Sequence, residues 1–197
     1  MQDKVVDILI VGVGGQGVLL ASEVLSETAM KAGLDVKKSE VHGMSQRGGV
    51  VSSHVKFGPK VHSPIIPYGE TDILISFEQA EALRALDWLK KDGLVVTSRT
   101  RLVPPITASG KFTYPDDPVT EMKKKTDRVI ALDADKIALE LGNPRLVNTI
   151  LLGIVSTRLD FPVETWEAVL KERVKAKFVD INLKAFARGR ELAEKAA

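Results

Sequence analysis

The sequence predicts an α/β fold, a mostly parallel Rossmann-like sheet flanked by helices, with a helical C-terminal part from about residue 146. Short β-branched apolar runs alternate with amphipathic helical stretches, a glycine-rich turn directly follows the first run, and strand signals end near residue 146. With 197 residues and 44% hydrophobic composition, the chain can build one large domain over residues 1–197 around a packed core.

The first half of the chain supplies three strands and one helix. Residues 5–11 are apolar and β-branched except for Asp7, which is typical of a central parallel strand. Residues 18–32 repeat apolar side chains at helical spacing and end before Gly33, a residue that favours helix termination. Residues 34–41 and 50–57 then follow as two extended segments with no helical stretch between them.

The second half continues the alternation and then turns helical. The predicted strands are residues 71–77, 93–98 and 129–132, and the predicted helices are 78–91, 134–141, 146–159, 163–175 and 178–195. Four prolines in residues 101–118 predict an irregular connection. Because strands alternate with helices over residues 5–141, right-handed crossovers and a largely parallel sheet are expected, with the last three helices packed against it.

Composition excludes several classes of function. The formal net charge is only +2 and the cationic residues are dispersed, so nucleic-acid binding is not expected. There is no cysteine, so this chain cannot supply thiolate ligands to an iron–sulfur cluster or a zinc ion, and no metal site is predicted. The sequence contains no apolar run approaching the ~20 residues of a membrane span and no signal-peptide pattern, and we expect a cytoplasmic protein.

A glycine turn, residues 12–17, joins the first strand to the first helix. Its glycines are Gly12, Gly14, Gly15 and Gly17, and they form the pattern G-x-G-x-x-G between a strand and a helix. Glycine adopts the backbone angles of such a turn cheaply, and free N–H groups at the helix start attract anions. Gln16 is the one side chain of the turn able to donate hydrogen bonds to a ligand. The alternative is that these glycines only permit tight strand–helix packing.

A nicotinamide-binding site would need an acid about 20 residues further on, to hold a ribose hydroxyl. Glu40 lies near the end of the second predicted strand and fits this spacing. However, a third strand follows without an intervening helix, which departs from the dinucleotide-binding pattern. A free-standing NAD- or flavin-dependent reductase is therefore the alternative hypothesis, and a regulatory module that binds a small anion is the third.

A second polar loop, residues 42–49 (HGMSQRGG), follows the second strand. We expect it at the same sheet edge as the glycine turn, where open α/β sheets bind ligands. Arg47 is suited to bind a carboxylate or phosphate through paired hydrogen bonds, and His42 is a weak candidate for proton transfer. Ser45, Gln46, Gly48 and Gly49 complete the candidate set. An interface loop that contacts a partner subunit is the alternative function.

These two loops carry a resemblance to a known family. The turn GVGGQG and the segment SEVHGMSQRGGVVSSHVKFG at 39–58 resemble the gamma-type domain of the 2-oxoacid:ferredoxin oxidoreductases. The segments at 71–84, 148–156 and 182–193 are similar to later parts of the same family, so that the resemblance spans almost the whole chain.

The resemblance implies a heteromeric complex that oxidatively decarboxylates a 2-oxoacid, here expected to be of the arylpyruvate class, to an acyl-CoA. Thiamine diphosphate, Mg²⁺ and iron–sulfur clusters are then expected on a larger partner subunit, with coenzyme A as co-substrate and ferredoxin as electron acceptor of the complex. The chain itself contains neither cysteine nor a G-D-G segment of the kind that binds thiamine diphosphate through magnesium. The resemblance therefore implies a cluster-free subunit that binds no cofactor alone and is inactive without its partner.

Overall fold

A computed structural model describes residues 4–42, 49–103 and 113–195. Its strands are β1 (Val6–Val13), β2 (Asp35–His42), β3 (Val50–Gly58), β4 (Thr71–Ser76), β5 (Leu89–Ser98) and β6 (Val129–Leu132). Its α-helices are α1 (Val18–Lys31), α2 (Gln79–Arg84), α3 (Pro118–Lys123), α4 (Ala134–Glu140), α5 (Val147–Ser156), α6 (Val163–Arg173) and α7 (Val179–Lys195). Short 3₁₀ turns cover Leu86–Trp88, Pro144–Leu146 and Ala176–Phe178.

The strands form one six-stranded sheet in the order β2-β3-β1-β4-β5-β6. The pairs β1–β4, β4–β5 and β5–β6 are parallel, whereas β3 is antiparallel to both β1 and β2. The predicted fold class, a mostly parallel sheet with flanking helices and a helical C-terminal part, is confirmed. The antiparallel strand follows from the short connection between β2 and β3, because a parallel crossover needs a dozen or more residues.

Two apolar clusters cover the two faces of the sheet. Ile8 and Ile10 of β1 point to the larger cluster, which contains α1, α5, α6 and α7. Leu9 and Val11 alternate to the opposite face and pack with residues of α2 and α3. The continuous apolar run in β1 therefore reflects burial on both faces, as a central strand requires.

Two predicted elements differ from the structure. The helix expected over residues 78–91 is wrong in its second half, since α2 ends at Arg84 and β5 begins at Leu89. The apolar side chains within residues 86–89 lie in a 3₁₀ turn and at the start of β5. Their spacing resembles that of the apolar face of a helix, which explains the wrong prediction. The helix α3 has no counterpart in the sequence-based prediction. It begins at Pro118, and the side chain of Asp117 caps it by accepting a hydrogen bond from the Thr120 N–H.

The helices α5 and α7 cross at unusually short range. A methyl group on Gly153 would overlap the main-chain carbonyl oxygen of Phe186, and one on Gly189 would overlap that of Ile150. Glycine at both positions lets the two backbones touch, which buries all ten residues of α5. This crossing anchors the C-terminal helices to the sheet.

None of the helices in the described ranges is long and apolar enough to cross a membrane.

Candidate functional site

The glycine turn and the second loop meet at one edge of the sheet. The Gly14 N–H donates to the Gly49 carbonyl at 2.9 Å, and Val13 pairs with Val50 in the β1–β3 register. The last residue of the second loop is thus fixed against the turn. We call this edge of the sheet the rim. It consists of the carboxyl ends of β1, β4, β5 and β6 and the residues that follow them, 12–17, 77–78, 99–102 and 133.

The backbone of the turn requires glycine at two positions. Gly15 has φ 103° and Gly17 has φ 87°, in the left-handed region that other residues avoid. A methyl group on Gly15 would meet nothing within 4 Å, whereas one on Gly17 would lie 2.7 Å from Nδ2 of Asn148. A methyl group on Gly12 would lie 3.0 to 3.3 Å from atoms of Gln16, Val18 and Phe77, which is also a close contact. The turn is therefore open at Gly15 and closely covered at Gly17.

The side chain of Gln16 braces the turn from within. Its Oε1 accepts from the Val13 N–H at 2.7 Å, and its Nε2 donates to the Phe77 carbonyl at 2.9 Å. These bonds tie the turn to the end of β4. In this structure Gln16 holds the turn in shape, and the ligand-binding role that the sequence suggests stays a prediction.

Asn148 lies beside the rim, in the first turn of α5. The residue is 4% exposed, and its Oδ1 accepts from the N–H of Thr149 at 2.8 Å. The residue that precedes α5 is Leu146, so Asn148 lies inside the first turn and is not the N-cap. Its amide nitrogen faces Gly17, which brings the starts of α1 and α5 together.

A buried carboxylate organises the neighbouring part of the rim. Oε1 of Glu78 accepts hydrogen bonds from the Leu102 N–H and from the hydroxyl of Tyr114, and Oε2 accepts from the Glu81 N–H. Glu78 thus holds both described ends of the 102–114 connection and caps α2. Burial raises the pKa of Tyr114 above its ordinary value, and the hydrogen bond to Glu78 raises it further. The Arg101 guanidinium lies 4.6 Å from the centre of the Tyr114 ring.

Several predicted site residues lie outside the described residues. These are Ser45, Gln46, Arg47 and Gly48, together with the side chain of His42. The backbone of His42 ends β2 and pairs with Val51, so the second loop does begin and end at strand termini. The functional roles proposed for these residues stay predictions.

The topology argues against a dinucleotide site built around Glu40. In a dinucleotide-binding fold the second strand lies next to the first, and its terminal acid reaches the ribose. Here β3 lies between β1 and β2, which moves Glu40 two strand spacings, about 10 Å, from the turn. The Glu40 carboxylate also forms an ion pair with Lys38 at 2.7 Å. The reductase hypothesis is therefore not favoured.

The residues present do not fit the redox cofactors that the family resemblance implies for the complex. Iron–sulfur clusters require thiolate ligands, and the chain has no cysteine. Within the described ranges, no three acidic or histidine side chains are grouped so that they could hold a metal ion.

Comparison with known proteins gives the class of the chain. The family model for pyruvate ferredoxin/flavodoxin oxidoreductases matches residues 7–192. The chain is 43% identical to "Indolepyruvate oxidoreductase subunit IorB" of Thermococcus kodakarensis, over 98% of this chain and 96% of the relative. It is 41% identical to the protein of the same name from Archaeoglobus fulgidus, over 93% and 92% of the two chains.

A solved structure shows the same fold. The gamma subunit of a keto/oxoacid ferredoxin oxidoreductase from Geobacter sulfurreducens matches with a TM-score of 0.71 at 24% identity. The match covers 98% of this chain and 99% of that one.

Fold and rim together define an α/β protein with a glycine turn at the carboxyl edge of its sheet. The chain belongs to the pyruvate ferredoxin/flavodoxin oxidoreductase family. The predicted family resemblance is confirmed, as is the prediction of an oxidoreductase subunit without clusters of its own.

Proposed function

We propose that this chain is the small subunit of an oxidoreductase that converts indolepyruvate, or a related arylpyruvate, to the corresponding acyl-CoA and passes the electrons to ferredoxin. The observation that carries the proposal is the 41–43% identity to indolepyruvate oxidoreductase subunits, over nearly the full length of both chains. Identity that extends along the whole chain supports a shared substrate class more strongly than a shared motif does.

The proposal assigns the redox chemistry to a larger partner subunit in the cytoplasm. That subunit would bind thiamine diphosphate with Mg²⁺ and the iron–sulfur clusters, because this chain has neither cysteine nor a G-D-G segment. Electrons leave the complex through those clusters, so this chain contributes surface and binding groups instead of redox groups.

The rim is the part of this chain that we place at the shared active site. Gly14 and Gly49 hold the two family-specific loops together, and ligands of open α/β sheets bind at this edge. In this arrangement the glycine turn and Arg47 shape the entrance for the oxoacid or for the phosphates of coenzyme A. If these loops serve only to dock the partner, changing Arg47 will leave the affinity for both substrates unchanged.

The test is to purify the complex from the native cell through a tag on this chain. We expect a larger iron-containing subunit to co-elute, and the complex to reduce ferredoxin in a reaction that needs both indolepyruvate and coenzyme A. Pyruvate, 2-oxoglutarate and branched-chain 2-oxoacids should be poorer substrates, judged by kcat/KM. A preference for one of these acids would contradict the arylpyruvate assignment.

Two controls sharpen this test. The chain alone should neither reduce ferredoxin nor be stabilised by NAD(H) or flavin, which a thermal-shift assay measures. In the complex, Arg47→Ala should raise the KM for coenzyme A or for the oxoacid, whereas Lys123→Ala, on α3, should change neither.

A further inference from the structure

A pocket lies on the face of the sheet that carries α2, between that helix and the strands β1 and β3. Its floor includes Leu9 and His54, which lie opposite each other in the β1–β3 register. Its wall includes Glu81 and Arg84 of α2 and Trp88 of the following 3₁₀ turn. We call this space, which these five residues and four smaller ones line, the α2 pocket.

The α2 pocket has the size and the lining of a site for a small aromatic molecule. It encloses about 200 Å³. That volume is larger than the ~150 Å³ apolar cavity that can hold benzene, and smaller than the ~300 Å³ at which pockets for drug-sized ligands begin. One ring or two fused rings therefore fill it. Leu9 and Ala85 are buried and apolar, and polar groups are few, as in most small-molecule sites.

Trp88 is held in place by two aromatic neighbours. The ring of Tyr68 stacks on it with centroids 4.0 Å apart, and the ring of His54 meets it edge to face at 5.0 Å. Aromatic pairs of these kinds add stability beyond the apolar area that they bury. The Trp88 ring is thus oriented before a ligand arrives, which lowers the entropy that binding costs.

Glu81 places a carboxylate in this largely apolar wall. The residue is 6% exposed, and burial raises the pKa of its carboxyl, while the positive charge of Arg84 opposes that rise. Its Oε1 accepts from Nη1 of Arg84 at 3.0 Å. A carboxylate offers about four acceptor sites, so this bond leaves capacity for a second donor. Such a group favours a ligand that donates an N–H and disfavours an anion.

His54 adds no positive charge that would attract an anion. Burial, followed by the charge of Lys56, lowers the pKa of its imidazole, so the ring is neutral at pH 7. Its Nδ1 accepts from the Ile66 N–H at 3.2 Å, which leaves the ring proton on Nε2. Among the described lining residues, the charges are those of Glu81 and Arg84, which pair with each other. The α2 pocket therefore suits an uncharged ligand.

We propose that the α2 pocket binds an uncharged aromatic heterocycle of about the size of indole, packed against Trp88, with its ring N–H donated to the carboxylate of Glu81. The choice of indole among such heterocycles rests on the proposed function, whereas the pocket itself is defined by this chain. Leu9 belongs to the apolar cluster on the α2 side of the sheet, and α1 packs on the other side. The site is therefore separate from the start of α1 and the glycine turn.

A titration of the ¹⁵N-labelled full chain with indole tests the site. The chain has two tryptophans, and Trp166 is fully buried in the cluster on the other side of the sheet. The ring current of bound indole should shift the side-chain N–H signal of Trp88 and leave that of Trp166 unchanged. An unshifted Trp88 signal at the solubility limit of indole would overturn the site.

Glu81→Gln tests the hydrogen bond with little change in shape. The variant keeps an acceptor oxygen but removes its charge, and charge-assisted hydrogen bonds are about twice as strong as neutral ones. The Kd of indole should therefore rise about 5-fold. Glu121→Gln is the matched control, because Glu121 also lies in the first turn of a helix and also pairs with a cation three residues later, Lys124. It should leave the Kd unchanged, and equal Kd values for the two variants would overturn the role of Glu81.

A second probe tests the same bond in the wild-type chain, so the result does not depend on how a variant folds. 1-Methylindole has the ring of indole but no N–H to donate, and its Kd should be about 10-fold higher than that of indole. Equal affinity for the two probes would overturn the recognition of the N–H. A Trp88 signal that the larger subunit shifts and indole does not would identify the α2 pocket as a docking surface and overturn the ligand site.

These titrations and the substrate tests of the complex can fail separately. If indole does not bind the chain but the complex oxidises indolepyruvate, this inference is wrong and the proposed function stands. If indole shifts the Trp88 signal but the complex rejects arylpyruvates, the proposed substrate is wrong and the site stands.

Discussion

The chain uses glycine for close approach in two regions, the α5–α7 crossing and the glycine turn, and the two regions differ in what approaches. At the crossing, Gly153 and Gly189 face main-chain carbonyls of the opposite helix. In the turn, Gly17 faces the polar end of a side chain, and Gly15 faces open space. Two buried backbones in contact can only serve packing, whereas a polar group set against an uncapped helix start can serve a ligand. The atoms that surround a glycine therefore indicate its structural or functional role better than the sequence motif in which the glycine occurs.

The largest effect is expected at the crossing. Gly153→Ala places a methyl group on the carbonyl of Phe186, and neither main chain can yield without separating α5 from α7. We expect the free energy of unfolding to fall by about 3 kcal/mol, at the upper end of the range for overpacked cores. Chemical denaturation followed by circular dichroism measures it.

Gly33→Ala is the control for this prediction. Gly33 has φ 83° but open space around its Cα, so alanine there should cost only the backbone strain, about 1 kcal/mol. Equal losses in the free energy of unfolding for Gly153→Ala and Gly33→Ala would show that α5 and α7 are packed less closely than described.

The contrast between these regions also marks what the sequence can predict. The positions of β1, α1 and β6 follow from local apolar patterns and agree with the structure. The site is harder, because the approach of Asn148 to Gly17 joins residues 131 positions apart and depends on how α5 packs. The same holds for the hydrogen bond between Glu78 and Tyr114. Two adjacent polar residues, Asn148 and Thr149, at the start of an otherwise apolar helix were the available signal, and capping is the commoner explanation for such residues.

The second prediction concerns coupling within the turn. Gly17→Ala would force alanine into a left-handed backbone conformation and place its methyl group 2.7 Å from the amide nitrogen of Asn148. We expect the free energy of unfolding to fall by about 2 kcal/mol. Asn148→Ala should relieve part of the clash. The sum of the losses in free energy of unfolding of the two single variants should therefore exceed the loss of the double variant. A double-mutant cycle measured by denaturation tests this. Strictly additive losses would contradict the contact.

The third prediction addresses the carboxylate that organises the rim. Tyr114→Phe removes the hydroxyl donor to Glu78 and should cost about 1–2 kcal/mol, the usual cost of leaving a buried acceptor short of a partner. Because the folded state raises the pKa of Tyr114, the folded chain keeps this proton where the unfolded chain loses it. Stability should therefore fall as the pH rises past about 10, and fall less steeply in the variant. Parallel pH profiles of the two proteins would refute this.

The smallest effect is expected at His54, which lies on β3 away from both regions. Its Nδ1 accepts from the Ile66 N–H at 3.2 Å, and burial, followed by the charge of Lys56, lowers its pKa. Since the unfolded histidine binds a proton more readily, stability should decrease as the pH falls below about 6.5. His54→Asn keeps an acceptor without titrating, so its thermal stability should depend less on pH between 5 and 6.5. An unchanged slope would remove His54 as the titrating group.

The most direct test of the central claim, that the rim serves the assembled enzyme while the crossing serves the fold, is hydrogen exchange on the chain with and without its larger subunit. Peptides that cover residues 14–20 should exchange more slowly in the complex, and more slowly again with coenzyme A. Peptides that cover residues 150–156 should exchange at the same slow rate throughout. Unchanged exchange at residues 14–20 in an active complex would contradict the claim.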